Sequence, residues 1–249
     1  MIEIKNLTKS FGDLVVWRDV SFDIQDGETT AVIGRSGCGK SVLLKHLNAL
    51  LYPDEGNVLI DGRCVFELSY SELRKVRQRF GILFQGGALF DSISTFENVA
   101  FPLRYFTEQT EDEITHNVNE ALGMVNLQEA GMKSTSELSG GMRKRVGLAR
   151  AIILKPDYLL YDEPTSGLDP KTSDEINELI VNMADSLDIT SIVITHDMHS
   201  VLEVSDKVAF LDNQKLSWFG KTEDMKHSEN QNLLEFISAS EYQINSKTA

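Results

Sequence analysis

A glycine-rich segment, residues 34–41, has the composition of a phosphate-binding loop, because Gly34 and Gly39 enclose four residues and Lys40-Ser41 follows. Glycine lacks a Cβ atom, so the backbone of such a loop wraps around a phosphate without steric conflict. Successive N–H groups and the N-terminus of the following helix then point at the anion. Lys40 would reach the β- and γ-phosphates, and Ser41 would bind Mg²⁺. A plain glycine turn would explain the glycines but not the Lys-Ser pair, so a phosphate site is favoured.

This segment supplies most of the expected nucleotide contacts. They are Gly34, Ser36, Gly37, Cys38, Gly39, Lys40 and Ser41, and Val42 directly after the segment is a further expected contact. Cys38 is either a reactive thiol or a small side chain that fits the loop, and the second interpretation is favoured.

A second candidate group, Asp162 and Glu163, follows the apolar run Tyr158–Tyr161. A buried strand there would deliver Asp162 at its carboxyl end, where ligands bind in open α/β sheets. Asp162 suits Mg²⁺, bound through water. Glu163 is one residue further and free to polarise an attacking water as a general base. The alternative is an acidic turn before Pro164, but the phosphate loop upstream favours the catalytic interpretation.

Strands and turns are predicted for the first part of the chain. Apolar and polar residues alternate over Ile2–Leu7 and Val20–Ile24, as in half-buried strands. A continuous apolar run over Thr29–Ile33 is typical of a fully buried strand that leads into the loop. An amphipathic helix is predicted after the loop, with an apolar face formed by Leu43, Leu44, Leu47, Leu50 and Leu51.

A helical region is predicted between two groups of strands. Ser69–Glu72 and Ser94–Glu97 have the capping-box pattern of a helix start. Helices are expected over residues 111–124, 140–154 and 170–186, and strands over residues 80–84, 158–162, 190–195, 207–211 and 215–219. The pattern indicates an α/β core in two sequence pieces with a helical insert, followed by a tail with one short helix over residues 233–237.

Composition narrows the class of protein. The 249 residues include 38 acidic and 24 basic side chains, for a net charge of −14, which argues against a nucleic-acid partner. Two cysteines, Cys38 and Cys64, cannot form a disulfide framework and fit a reducing compartment. No apolar run approaches the ~18 residues of a membrane span, and the N-terminus lacks a secretory pattern. A cytoplasmic location is expected.

The segment Leu138–Met142, Leu-Ser-Gly-Gly-Met, carries a family resemblance. Its Ser-Gly-Gly turn precedes a predicted helix and makes another N-terminus able to bind phosphate. Together with the phosphate loop and Asp162-Glu163, it resembles the signature of ABC-transporter ATPases. The other motifs of that family are also present, in the order in which the family has them. They are at Phe11, Gln85, Ser166–Asp169 and Thr195–Asp197.

The resemblance implies an α/β fold, a P-loop (RecA-like) ABC ATPase core with an antiparallel β subdomain and an inserted α-helical subdomain. The implied ATPase domain covers residues 1–220, with the helical subdomain at about 87–154, and residues 221–249 form a partly helical tail.

The resemblance also implies an enzyme that hydrolyses ATP with Mg²⁺. The implied catalytic residues are Glu163, His196, Gln85 and Lys40, and the implied Mg²⁺ ligands are Ser41, Gln85 and Asp162. Phe11 would stack on adenine. Because each motif occurs once, a homodimer with two composite sites is implied. In it Ser139, Gly140 and Gly141 of one subunit contact the ATP bound by the other.

Taken alone, several of these residues have simpler interpretations. Phe11 could be a core residue or fill a turn, and Gln85 could be a surface amide. His196 and His199 have the i, i+3 spacing of a metal pair, but no set of carboxylates or cysteines completes it. A contact from His196 to the γ-phosphate is favoured because His196 follows a predicted strand.

One departure from the family pattern narrows the subfamily. The signature usually ends in Gln, and here it ends in Met142. With residues 83–90 and 98–104, this segment looks like that of the ATPases of Mla/Mce-type phospholipid transport in bacterial envelopes. That resemblance implies an integral-membrane permease, an Mce-domain lipid-binding protein, a small cytoplasmic accessory subunit and a peripheral position on the cytoplasmic face of the inner membrane.

Other functions stay open at this stage. The same ATPase could drive import of polar solutes such as amino acids, act without a permease, or serve as a nucleotide-binding regulator that does not hydrolyse ATP. The segment after Gln85 bears on this choice, because ABC ATPases contact their permease there. We expect Leu89 and Phe90 to dock a permease helix beside the Gly86-Gly87 hinge, although both could instead be core residues of the helical lobe.

Overall fold

Strands dominate the N-terminal part of the chain and helices its middle, and further strands precede a C-terminal helix. The computed structural model describes residues 1–246 and the side chains of residues 1–240. The strands are β1 Ile2–Phe11, β2 Leu14–Ile24, β3 Thr29–Gly34, β4 Glu55–Ile60, β5 Arg63–Cys64, β6 Phe80–Leu83, β7 Tyr158–Asp162, β8 Thr190–Ile194, β9 Lys207–Asp212 and β10 Lys215–Lys221.

The α-helices are α1 Lys40–Leu47, α2 Tyr70–Gln78, α3 Thr95–Phe106, α4 Glu111–Met124, α5 Gly140–Ile152, α6 Pro170–Leu187, α7 Met198–Val204 and α8 Gln231–Ser246. None of these helices combines the length and apolar character that a membrane crossing requires. The chain divides into two units, residues 1–77 with 190–249, and residues 78–189. The predicted domain boundaries at 1–220 and 87–154 stay a prediction.

The first unit contains two sheets. One is antiparallel, with the strand order β2-β1-β4-β5. In the other, β3 lies between β9 and β8 and runs parallel to both, while β10 pairs antiparallel with β9. All six residues of β3 are buried, which explains their continuous apolar pattern. This strand carries the phosphate loop at its carboxyl end.

The C-terminal helix α8 belongs to the core of the first unit. Leu233 and Ile237 are buried in one apolar cluster with Ile33 of β3 and Phe210 of β9. The predicted short helix over residues 233–237 is therefore real, but it begins at Gln231 and continues to Ser246. The last three residues of the predicted tail, 247–249, lie outside the described part of the chain.

The second unit contains the parallel pair β6–β7 with helices α3 to α6. Helix α5 lies against β6, where a Cβ atom on Gly81 would collide with the Ala151 carbonyl. The capping box at Thr110 and Glu113 starts α4, whose bounds match the prediction. Ser94 caps α3 by accepting from the Glu97 N–H at 3.2 Å, as the sequence pattern indicates.

One local prediction is wrong, and one local element was missed. The apolar stripe after the loop was expected to continue to Leu51, but α1 ends at Leu47 and Leu50 is 58% exposed. Asn48 caps the helix, and Ala49 has a left-handed φ of 52°, which turns the chain away from the helical path. The short hairpin β4–β5 was not predicted, because Glu55 and Asn57 interrupt its apolar pattern.

Candidate active site

The phosphate loop of the first unit has the conformation that its glycines allow. Gly39 takes a φ of 95° immediately before α1, and a Cβ atom there would collide with the indole of Trp17. The Trp17 Nε1 group donates to the Cys38 carbonyl at 3.2 Å. Trp17, which sequence analysis missed, therefore supports the loop from behind. Its only sequence signal is an aromatic residue within a strand.

Lys40 lies within its own loop. The residue is 8% exposed, and Nζ donates to the Gly34 carbonyl at 2.8 Å and the Arg35 carbonyl at 3.2 Å. The ammonium charge is thus held beside the loop that would wrap a phosphate. Burial raises the pKa of the Cys38 thiol, so the thiol stays protonated near neutral pH. This agrees with the interpretation of Cys38 as a small side chain in the loop.

His196 lies at the same sheet edge as the loop. Strand β8 runs parallel to β3 with Val32 opposite Ile194, so Gly34 and His196 each follow two residues beyond this pair. Asp197 begins α7 by accepting from the His199 N–H at 3.1 Å. His196 is exposed in this strand-to-helix turn. His199 pairs with Glu203 at 3.3 Å on the surface.

Phe11 ends the first strand of the antiparallel sheet. It is 48% exposed, opposite Leu14 in the β1–β2 hairpin. Lys9 Nζ lies 5.3 Å from its ring centroid. The alternative that Phe11 is a core residue is therefore wrong, and the exposed part of the ring could stack on a planar ligand.

In the second unit, the carboxyl ends of two neighbouring strands carry Gln85, Asp162 and Glu163. Strands β6 and β7 are parallel with Leu83 opposite Tyr161, so all three residues follow directly after that pair. Gln85 is exposed, and its Nε2 group donates to Ser166 Oγ at 3.3 Å. The two family motifs predicted at Gln85 and Ser166 are thus in contact.

Glu163 has an unusual backbone conformation. Its φ is 52°, in the left-handed region that residues with a Cβ atom rarely adopt. Its carbonyl accepts from Lys144 Nζ at 2.8 Å and from the Ser166 N–H at 3.2 Å. Burial lowers the pKa of Lys144 to about 8, against the opposite effect of the Glu163 and Asp162 charges. Sequence analysis missed Lys144, although its spacing from Gly141 and Leu148 places it on the buried face of α5.

The Ser-Gly-Gly turn starts α5 as predicted. Ser139 is exposed and caps the helix, with Oγ accepting from the Met142 N–H at 3.3 Å. Gly141 is buried, and a Cβ atom on it would lie 2.5 Å from Thr172 Cγ2 of α6. The α5 N-terminus therefore lies against α6, with its first N–H groups at the surface end of the helix.

The residues proposed for Mg²⁺ suit that ion. Ser41 offers a hydroxyl, Asp162 a carboxylate and Gln85 an amide oxygen, and oxygen atoms are the ligands that Mg²⁺ prefers. Asp162 at the end of β7 is partly accessible.

A phosphate loop after a buried parallel strand, and an Asp-Glu pair after another, define a P-loop ATPase. The model of the ABC transporter family matches residues 17–166. The chain therefore belongs to the ABC transporter family, as an ATP-binding and ATP-hydrolysing subunit. The family resemblance and the expected ATPase fold are thereby confirmed.

Three curated relatives are similar over most of this chain. The probable ribonucleotide transport ATP-binding protein Mkl of Mycobacterium leprae is 44% identical, over 95% of this chain and 68% of its own length. The intermembrane phospholipid transport system ATP-binding protein MlaF of Haemophilus influenzae is 42% identical, over 95% and 90%. The methionine import ATP-binding protein MetN of Clostridium tetani is 41% identical, over 90% and 70%. The chain spans only 66% of the length of the Mycobacterium tuberculosis Mkl protein.

A solved structure has the same fold. It is the dimeric post-hydrolysis state of an ATP-binding cassette bound to ADP and Pi, with a TM-score of 0.81 and 31% identity. The match covers 89% of this chain and 98% of that one. This agreement extends over both units of the chain, so the predicted combination of P-loop core, antiparallel sheet and helical region is confirmed as a fold class.

Proposed function

We propose that this chain is the ATPase subunit of a transporter that moves phospholipid between membranes of a bacterial envelope. One observation carries the proposal: the phospholipid-transport relative matches 95% of this chain and 90% of its own length. The ribonucleotide and methionine relatives are matched over 68% and 70% of theirs. The similarity to the phospholipid relative therefore extends over nearly the whole length of that relative.

The reaction proposed for the site is attack of water on the γ-phosphorus of ATP. Glu163 takes the proton of the attacking water, the bond to the ADP oxygen breaks, and ADP and phosphate are released. Lys40 and the N–H groups of residues 36–41 stabilise the charge that develops on the phosphate oxygens. Ser41, Asp162 and Gln85 offer oxygen atoms that suit Mg²⁺, and the ion would neutralise phosphate charge when bound.

The proposed assembly is a homodimer on a membrane permease. A homodimer agrees with the dimeric state of the similar cassette and with the single copy of each motif. ATP would then be enclosed between the phosphate loop of one subunit and the Ser139–Gly141 turn of the other. Binding would shift an open–closed equilibrium, and hydrolysis would reverse it. The proposed complex also contains an Mce-domain protein and a small accessory subunit. The ATPase subunits would lie on the cytoplasmic face of the inner membrane.

The surface proposed to meet the permease is aromatic. Phe90 is 44% exposed, and its ring centroid lies 4.9 Å from that of Phe101 of α3. Tyr105, also in α3, is exposed as well. The Phe90 backbone is fixed, because its N–H donates to Asn98 Oδ1 at 2.7 Å and its carbonyl accepts from Asn98 Nδ2 at 3.0 Å. The alternative that Phe90 is a core residue is therefore wrong.

We expect Phe90→Asp to lower the affinity for the permease by about one to three orders of magnitude, which should be seen as weaker co-purification. A carboxylate placed in an apolar interface costs a few kcal/mol, and about 1.4 kcal/mol is a tenfold change. The melting temperature and ATP binding of the isolated chain should stay close to those of the wild type. Tyr70→Asp, the same charge on an exposed aromatic residue of α2, is the matched control. Normal co-purification of Phe90→Asp would remove this surface from the proposal.

Import of a small solute is the second candidate function, favoured by the methionine-import relative at 41% identity. The two candidates are separated by reconstituting the chain, together with the permease that co-purifies with it, into lipid vesicles. ATP-dependent transfer of a fluorescent phospholipid to acceptor vesicles is expected, and no ATP-dependent movement of labelled methionine. Lys40→Ala, which removes the phosphate contact, should stop the transfer. Methionine transport without lipid transfer would overturn the phospholipid proposal.

A further inference from the structure

Lys144 is a buried cation with a defined target. The residue is 4% exposed, although lysine is almost never fully buried without a partner. Its Nζ group donates to the carbonyl oxygen of Glu163 at 2.8 Å. The carboxylates of Glu163 and Asp162 attract the same ammonium charge. The lysine therefore bonds to the peptide that carries the proposed general base.

The backbone at Glu163 needs such a contact. A left-handed φ at a residue with a Cβ atom persists only where the surroundings hold it. Here the Ser166 N–H and Lys144 Nζ both donate to the Glu163 carbonyl, so two donors fix the orientation of that peptide group. The orientation of the peptide sets the direction in which the Glu163 side chain leaves the backbone.

Lys144 lies on helix α5, and a second cation of this helix bonds to the backbone of a neighbouring loop. Arg150 of α5 donates to the carbonyls of Gly87 and Ala88, each at 2.8 Å, in the loop that follows Gln85. Helix α5 therefore holds two loops through cations that bond to backbone carbonyls. Since Ser139 caps this same helix, the Ser-Gly-Gly turn and the Glu163 peptide are attached to one rigid body.

We propose that Lys144 is a positioning residue for ATP hydrolysis, which holds the Glu163 peptide so that the carboxylate points at the attacking water. The proposal rests on the proposed function, because it takes Glu163 as the general base. Lys144 itself touches neither nucleotide nor water in this role. Its loss should slow the chemical step and leave nucleotide binding intact, since the phosphate loop is formed by other residues.

The test compares three variants of the full chain in steady-state ATP hydrolysis. Lys144→Met keeps the length of the side chain and removes the donor, and its kcat should fall about 10–100-fold, as for other small misplacements of a catalytic group. The KM for ATP should stay within about threefold, because uniform binding is unaffected. Lys144→Arg retains a cationic donor and should recover most of the kcat. Arg145→Met is the matched control, because Arg145 lies on the same helix but bonds to Val125 and Glu175.

A double variant separates this proposal from the role of Glu163. In a Glu163→Gln background, Lys144→Met should cause no further loss, because residues that act through one group are not additive. If Glu163→Gln alone keeps its activity, the assignment of the general base fails. If Glu163→Gln is inactive and Lys144→Met retains the wild-type kcat, the positioning role fails by itself. An equal loss in Lys144→Met and Arg145→Met would also overturn it.

Folding is controlled by a second substitution. Lys144→Gln provides a shorter, neutral amide donor and is measured in the same way if Lys144→Met is unstable. An intermediate kcat with unchanged KM is expected for it. Failure of both variants to fold would make Lys144 a structural residue and overturn the proposal.

Discussion

Glu163→Gln should cut steady-state ATP hydrolysis by roughly 10²–10⁴-fold, the usual contribution of a general base, while ATP binding persists. The substitution keeps the size of the side chain and removes its ability to accept the proton of the attacking water. It leaves the Glu163 carbonyl with its two donors, so the loop geometry should survive. ATP binding by equilibrium titration and phosphate release at saturating ATP measure the two effects separately.

The same variant should accumulate as an ATP-bound dimer. Closure would still be favoured by ATP, and the step that reverses it would be lost. Size-exclusion chromatography should therefore show a dimer in the presence of ATP and no dimer in the presence of ADP. Glu178→Gln, the same change at an exposed position of α6, should hydrolyse ATP normally and keep the wild-type equilibrium between monomer and dimer. Near-normal phosphate release by Glu163→Gln would remove Glu163 from its proposed role.

Sequence patterns predicted the backbone around the proposed site best where that backbone depends on neighbouring residues. The conformation of residues 34–41 depends on glycine φ angles and on a strand and helix that border the loop directly, so a short pattern contained the information. The same holds for Asp162, whose position follows from the buried run before it. The carboxyl ends of parallel strands meet at one edge, which explains why separate motifs converge in each unit.

Contacts between distant segments could not be predicted from these patterns. Trp17 supports the phosphate loop across 21 residues, and Lys144 holds Glu163 across 19. Nothing in the pattern of either residue names its partner. A buried tryptophan in a strand and a lysine on the inner face of a helix are common in proteins that bind no nucleotide.

Element ends failed for a related reason. The apolar spacing that predicted α1 continued through Leu51, because hydrophobic periodicity does not record where the backbone turns. The left-handed Ala49 ends the helix, and nothing in the alanine side chain signals that conformation. Helix α8 was underestimated for the opposite reason: its polar C-terminal part lacks an apolar stripe, although Leu233 and Ile237 anchor it in the core.

Ser139→Arg should abolish ATP hydrolysis while the monomer still binds ATP. Ser139 is exposed at the start of α5, and its proposed contact is to the nucleotide of the partner subunit. A long cation there would block closure of the dimer without touching Lys40. Loss of the helix cap should cost about 1 kcal/mol, so the chain stays folded. Ser69→Arg is the matched control, because Ser69 is also exposed and accepts from the N–H of Glu72 three residues on.

Mixing variants tests the assignment to the partner subunit directly. A heterodimer of Ser139→Arg with Lys40→Ala has one site with both defects and one site with neither, because each site takes its phosphate loop and its Ser-Gly-Gly turn from different subunits. The mixture should therefore hydrolyse ATP, although each variant alone should not. Activity should peak near equal amounts of the two chains, where heterodimers are most abundant. If Lys40 and Ser139 of one chain formed the same site, every site in the mixture would contain one substituted residue. The mixture would then be as inactive as each variant alone. An Ser139→Arg monomer that fails to bind ATP in equilibrium titration would contradict the assignment without any mixing, because its own phosphate loop is intact.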